Sequence, residues 1–140
     1  KKGDEIIISD DKTVRQLTKG KYRFNLNTSI NVFKGPEFEI LNDKSILKLF
    51  TKEFVIGSNN RMAYNLEDKI QTETKSILSS PVLPGTIQIT PSGNIIILHR
   101  DCQTTGGYPR ILQLDKESLN NLAQLKTGDK IKFKLIKNKT

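Results

Sequence analysis

With 140 residues, 23 Lys and Arg against 15 Asp and Glu, a formal charge of +8, one His, one Cys, one Met and no Trp, the chain has one domain's length and lacks the ligands of a structural zinc site and the thiols of an internal disulfide. Ile, Leu, Val and Phe contribute 42 of the 140 residues, well above the ~20% below which chains tend to stay disordered, so a core can form unaided. The longest apolar runs, Ile6–Ile8 and Ile95–Leu98, fall far short of the ~20 residues of a membrane helix and no signal peptide opens the chain, so the expectation is a soluble, cytoplasmic protein with no membrane partner.

The chain opens on Lys1-Lys2-Gly3-Asp4-Glu5-Ile6, which matches Lys126-Thr127-Gly128-Asp129-Lys130-Ile131 at four of six positions. The second copy leads into the last predicted strand. If the first plays the same part, residues 1–24 are the tail of a preceding, similar domain or a linker, and 25–140 form the domain proper. A Gly-Asp turn before a strand would give the same echo by chance. The single Met is Met62, so the expectation from a start at Lys1 is an excised domain or an incomplete chain, and a missing partner segment.

Short strands follow in order: Tyr22–Leu26, Ile30–Phe33, Phe54–Ile56, Met62–Leu66, Ser76–Ser79, Thr86–Thr90, Ile95–His99, Arg110–Leu114 and Ile131–Ile136. Turn chemistry separates them at Lys34-Gly35-Pro36, Gly57-Ser58-Asn59-Asn60, Leu83-Pro84-Gly85, Pro91-Ser92-Gly93-Asn94 and Thr127-Gly128-Asp129. Two short helices interrupt the series. Asn42 or Asp43 caps one whose stripe is Ile46, Leu47 and Phe50, and Asp115 caps one carrying Leu119, Leu122, Ala123 and Leu125. Helices this few flank or plug a β structure, so the fold class is mainly β, closed or sandwiched.

The densest basic run, Lys130, Lys132, Lys134, Lys137 and Lys139, alternates with Ile131, Phe133 and Leu135 at the period of a strand. It reads as a solvated strand face, and no specific nucleic-acid partner is expected. The densest polar stretch runs from His99 to Arg110 between two apolar strands and is far longer than a hairpin needs. Gly106 and Gly107 permit positive φ, which would let successive N–H groups converge on an anion, while Gln103, Thr104 and Thr105 add neutral donors. The plainer reading is a wide β connection with a glycine bulge. Cys102 and His99 stand three apart on an extended segment and point to opposite faces, so the thiol is expected to be small and half-buried filler, not a nucleophile. Arg61, where a strand begins, can pair with a carboxylate or phosphate of a ligand, or with Glu67 or Asp68 of its own surface.

Taken together, Ser58 to Glu67, Pro84-Gly85-Thr86-Ile87-Gln88-Ile89 with Pro91-Ser92-Gly93, the Q-T-T-G-G-Y-P element from Gln103 to Pro109, and Leu122-Ala123-Gln124-Leu125 with Gly128-Asp129 resemble the C-terminal half of the allophanate-hydrolase-subunit-2 family. That family includes the C subunit of bacterial 5-oxoprolinase, the antagonist of a sporulation-kinase inhibitor and the carboxyltransferase region of urea carboxylase. The resemblance covers about residues 30–136. It implies a cyclophilin-like closed β barrel paired with a similar first domain, partners of the B type and the A type, and a share in an ATP-dependent opening of the lactam 5-oxoproline to glutamate. The implied alternatives are biotin-dependent urea carboxyltransfer and a non-catalytic module acting on a kinase-regulating partner. The candidate substrate-binding residues are Arg61, Gln103, Thr104, Thr105, Gly106, Gly107, Tyr108 and Arg110, with Asp101 the candidate catalytic group and no metal ligands; ATP belongs to the assembled enzyme and no cofactor to this piece. Ala63 and Asn65 stand where the family usually carries Gly and Arg, and Arg110 where it carries Lys.

Overall fold

The computed structural model describes residues 28–73 and 75–137. In chain order these form β1 (Ser29–Lys34), a 3-10 turn (Phe38–Ile40), α1 (Asp43–Thr51), β2 (Phe54–Asn59), β3 (Ala63–Lys69), β4 (Ser80–Pro81), β5 (Thr86–Ile89), β6 (Asn94–Leu98), β7 (Thr105–Gly106), β8 (Arg110–Leu114), α2 (Lys116–Leu122) and β9 (Lys130–Leu135). Seven strands close a barrel in the order β1-β8-β5-β6-β3-β2-β9, and β4 and β7 make a separate two-stranded ribbon. The closure is the parallel pairing of β9 with β1, with Ile30 opposite Phe133; the other barrel pairings are antiparallel. This is the mainly β, closed architecture expected. Among the described residues, no helix is long and apolar enough to cross a membrane.

Alternation explains the barrel wall. In β9, Ile131 and Phe133 are buried while Lys130, Lys132 and Lys134 face solvent, and in β1 Ile30 and Val32 are fully buried. Phe54 and Phe133 meet inside with ring centroids 5.4 Å apart. β5 departs from alternation, since Thr86, Ile87, Gln88 and Ile89 are all buried. A strand buried on both faces needs a second layer outside the barrel: over Gln88 it is the polar 99–110 connection, and over Thr86 it is Gln113 with the Leu83-Pro84 turn.

Both helices begin where a cap is expected. The Asn42 side chain accepts from the Ser45 N–H and the Asp115 side chain from the Ser118 N–H, each satisfying an otherwise orphaned donor of the first turn. The buried stripe of α1 is Ser45 and Leu49, flanked by half-buried Ile46 and Phe50, whereas Leu47 is exposed. The inward face is centred on Ser45 and Leu49, one turn apart, so of the expected stripe Ile46 and Phe50 lie along its border and Leu47 beyond it. In α2 Leu119 and Leu122 are buried, as is Leu125 just beyond its end, while Ala123 at its C-cap is exposed.

Two other expectations are corrected. No strand runs over Ser76–Ser79; pairing falls on Ser80–Pro81, because the partner is the bridge at Thr105 and Gly106 and not a local pattern. β2 continues through Gly57 to Asn59 over a bulge, and the turn lies at Asn60, whose side-chain oxygen accepts from the N–H groups of Met62 and Ala63. Asp129 does close the Thr127-Gly128-Asp129 turn by accepting from the Lys126 N–H, with Gly128 at φ +90°. The matching Lys1–Ile6 segment, the tail or linker at 1–24 and the strand at Tyr22–Leu26 lie outside the described residues.

Candidate functional site

In the barrel order β5 stands between β6 and β8. The chain leaving β6 must therefore cross over β5 before it can return as β8, which is why the connection from His99 to Pro109 is so long. Three sets of contacts pin this crossing.

At its first end it is tied to the β2–β3 turn. The His99 N–H donates to the Met62 carbonyl at 2.8 Å and the Asp101 N–H to the Arg61 carbonyl at 2.9 Å. These bonds set the two side chains face to face: Arg61 donates from Nε to Asp101 Oδ2 at 2.5 Å and from Nη2 to Oδ1 at 3.0 Å. The hydrogen bond to the guanidinium holds the Asp101 carboxyl below its ordinary range and raises Arg61 correspondingly. The pair is open to solvent, with the Arg61 side chain 81% exposed. Its partner is thus neither Glu67 nor Asp68; Asp68 pairs with Lys52 at 2.7 Å.

In the middle, residues 77–82 run as a strap along the crossing. Ser80 and Pro81 pair with Gly106 and Thr105, the Val82 N–H donates to the Thr104 carbonyl and the Ile77 N–H to the Gly107 carbonyl. Beneath, the buried Gln88 carboxamide donates to the Tyr108 carbonyl at 2.9 Å. Neither Gly106 nor Gly107 has positive φ, so the expected anion nest is not what the glycines provide. Gly106 is needed for closeness: a Cβ there would stand 2.7 Å from the Gln88 nitrogen.

At the far end Arg110 is clamped by Glu37. Its Nε and Nη2 donate to the two carboxylate oxygens at 2.9 and 2.6 Å, its backbone N–H donates to Oε2, and its Nη1 reaches the Pro81 carbonyl at 2.8 Å. Both side chains are mostly buried, and the guanidinium hydrogen bond lowers the Glu37 carboxyl. Glu37 escapes a sequence reading because it follows a Gly-Pro turn and looks like surface. Gln88 escapes because, alternating with Ile87 and Ile89, it reads as the exposed face of a strand.

The candidate residues are therefore joined by one connection, with Arg61 at one end and Arg110 at the other. What this leaves free for a ligand is limited and defined. Gln103, Thr104 and Thr105 are exposed, and their side chains make no hydrogen bond among the described residues; Tyr108 is 38% exposed. Arg61 and Asp101 offer a cation and an anion held in solvent. Cys102 is half-buried and burial pushes its thiol up, away from the thiolate a nucleophile needs. Asn65 donates to the Ser58 hydroxyl at 3.1 Å on the nearby surface.

The model of the carboxyltransferase domain family, subdomain A and B, matches residues 1–135. The chain is 32% identical over 136 residues to the C subunit of 5-oxoprolinase from Escherichia coli (strain K12), and 31% identical over 137 residues to that of Haemophilus influenzae (strain ATCC 51907 / DSM 11121 / KW20 / Rd). These alignments take in 95% and 96% of this chain but 44% of each relative, so the chain spans less than half the length of either. Among solved structures it is similar to TTHA0988, with 25% identity, a TM-score of 0.67 and coverage of 76% of this chain and 21% of that one. The urea carboxylase of Kluyveromyces lactis shares the fold, with a TM-score of 0.72 and 20% identity over 78% of this chain and 11% of that one.

Proposed function

The chain belongs to the carboxyltransferase domain family, and from that premise we propose that it is the C-terminal domain of a protein like the 5-oxoprolinase C subunit, one part of an ATP-dependent complex that opens a lactam ring. The observation that carries this reading is the crossing connection itself. It is pinned from beneath by Gln88, along one edge by residues 77–82 and at its ends by Arg61 and Glu37, yet its Gln103-Thr104-Thr105 side chains are exposed and make no hydrogen bond among the described residues. Rigid backbone with free side-chain donors is the arrangement that recognises a small polar ligand.

5-Oxoproline carries a carboxylate and a lactam amide, and the residues fit both. Arg61 exchanges its exposed Asp101 partner for the substrate carboxylate, a near-equal swap of one bidentate pair for another. The hydroxyls of Thr104 and Thr105 donate to the lactam carbonyl, whose oxygen gains negative charge as the ring is activated. Asp101, released, accepts the lactam N–H. Arg110 acts through Glu37 and Pro81 by holding the loop, with Gly106 and Gly107 giving it its path and Tyr108 closing its edge. In this reading ATP is bound by the partner proteins of the A and B types, and the glycine pair, which runs without positive φ, shapes the loop.

The test is reconstitution. The chain alone should show no turnover of 5-oxoproline with ATP, and the chain joined to a first domain of the kind the longer relatives have room for, and supplied with both partner proteins, should release glutamate. Turnover by the isolated chain would overturn the shared-site reading. Carboxylation of urea by the assembled protein in place of lactam opening would move the assignment to the carboxyltransferase alternative.

A further inference from the structure

His99 ends the run of β6 at the root of the crossing, and its side chain is nine-tenths buried. Among the described residues, the buried side-chain nitrogens without a hydrogen-bond partner are the two of this imidazole. Buried polar atoms left unpaired are rare in native proteins, and each asks for a reason. The ring packs against Tyr64 with centroids 5.4 Å apart. Around it close the same backbone bonds that set Arg61 opposite Asp101: His99 N–H to Met62, Asp101 N–H to Arg61 and Cys102 N–H to the His99 carbonyl. Of the groups facing the ring, the Arg100 and Arg61 guanidinium groups oppose a charge on it, while the Asp101 carboxylate and the Arg61 backbone favour one; burial is the largest influence and keeps the ring neutral.

A neutral imidazole is tolerated in this seat, but an imidazolium brings a charge and two N–H donors to a buried place where the Arg61 carbonyl, already holding the Asp101 N–H, is the backbone acceptor that favours it, and burial with the Arg100 and Arg61 charges outweighs that favour. The charged ring must either swing to water, breaking the bonds around it, or draw Asp101 away from Arg61. We propose that neutral His99 is the positioning residue of the Arg61–Asp101 pair, and that protonating it releases the pair, so that this end of the site is switched off in mild acid. The consequence for substrate rests on the reading of Arg61 and Asp101 given above; the switch itself rests on the fold. The sign follows from burial. The folded ring titrates below the ordinary imidazole value of about 6.5, so the folded state binds fewer protons in that window. The seat is intact above about pH 6.5 and is lost as the pH falls from there through the folded value.

His99 is the chain's one histidine, so its ring resonance is unambiguous. The ring titration and the exchange protection of the Asp101 and Cys102 amides are followed by NMR on the 140-residue chain from about pH 7.5 down to about 5, above the carboxylate range. The expected result is a ring titrating below the ordinary value, with protection of both amides falling about tenfold or more along the same curve. In His99→Phe, which keeps a ring against Tyr64 but cannot titrate, protection should stay level over that range. A ring titrating at or above the ordinary value, or protection that does not follow it, overturns the proposal. If His99→Phe does not fold, the two wild-type curves decide the matter. Neither readout needs substrate, ATP or partner proteins, so a failure of the lactam reading would leave this result standing and the reverse also holds.

Discussion

The carboxamide of Gln88 lies directly beneath Gly106, at a distance that leaves no room for a side chain. A Cβ at Gly106 would stand 2.7 Å from the Gln88 nitrogen, and that nitrogen is committed to the Tyr108 carbonyl at 2.9 Å in a residue only 1% exposed. The loop and the strand it crosses are thus fitted to each other at this point. Gly106→Val should destabilise the fold by about 1–3 kcal/mol, the usual cost of forcing extra methyl groups into a packed site. Urea denaturation measures it. Gly107→Ala serves as the control, because its nearest contact would be the Ile77 carbonyl oxygen at an ordinary 3.6 Å; equal losses for the two variants would refute the close-approach account.

The Glu37–Arg110 clamp makes a prediction in acid. Arg110 holds the Glu37 carboxyl below its free value, so the folded state binds fewer protons as pH falls through the carboxylate range. The clamp's stability is fully present above the unfolded value of about 4.3 and is lost as the pH drops from there through the folded value. Glu37→Gln should cost about 2 kcal/mol at neutral pH, the order for a charged hydrogen-bonded pair largely out of water. It should also flatten the acid limb of the stability profile below about pH 4.3. A variant as stable as the parent at pH 7 would show the clamp to be ornamental.

How much of this is legible follows from where the information lies. The barrel strands are readable because Ile30, Val32, Ile131 and Phe133 alternate with polar residues at the pitch of a half-buried strand, and both helix starts because Asn42 and Asp115 carry their own capping chemistry. The length of the 99–110 connection is a true signal that its strands are not neighbours. What covers it is hidden. β4 is two residues long and exists only because Thr105 and Gly106 are opposite it, and Glu37 meets Arg110 across 73 positions. No local pattern encodes such pairings. The glycines stand out in the sequence for the wrong property: conformational freedom is the usual inference where absence of a side chain is the need.

Cys102 bears on mechanism through what it should not do. Burial raises its thiol, and no base hydrogen-bonds it among the described residues. Cys102→Ser in the assembled enzyme should keep activity within about tenfold, whereas removing a true nucleophile costs several orders of magnitude. A loss beyond about a thousandfold in a folded variant would make the thiol a reacting group after all.

Arg61 separates binding from folding most cleanly. Its pair with Asp101 is solvent-exposed, with side-chain exposures of 81% and 47%, and exposed ion pairs contribute little to stability. The backbone bonds that place the turn, Asp101 N–H to the Arg61 carbonyl and His99 N–H to the Met62 carbonyl, do not involve the guanidinium and survive its removal. Arg61→Ala should therefore leave the urea midpoint of the chain where it was. In the assembled enzyme the same change removes the group assigned to the substrate carboxylate and should lower kcat/KM by about a hundredfold, most of it in KM, because a ground-state contact is lost along with the transition-state one. Arg61→Lys keeps the charge but not the fork, and should recover only part of the loss. The two measurements decide between roles: a fallen midpoint with unchanged kinetics would make Arg61 a surface brace for the crossing, and unchanged values in both would remove it from the site.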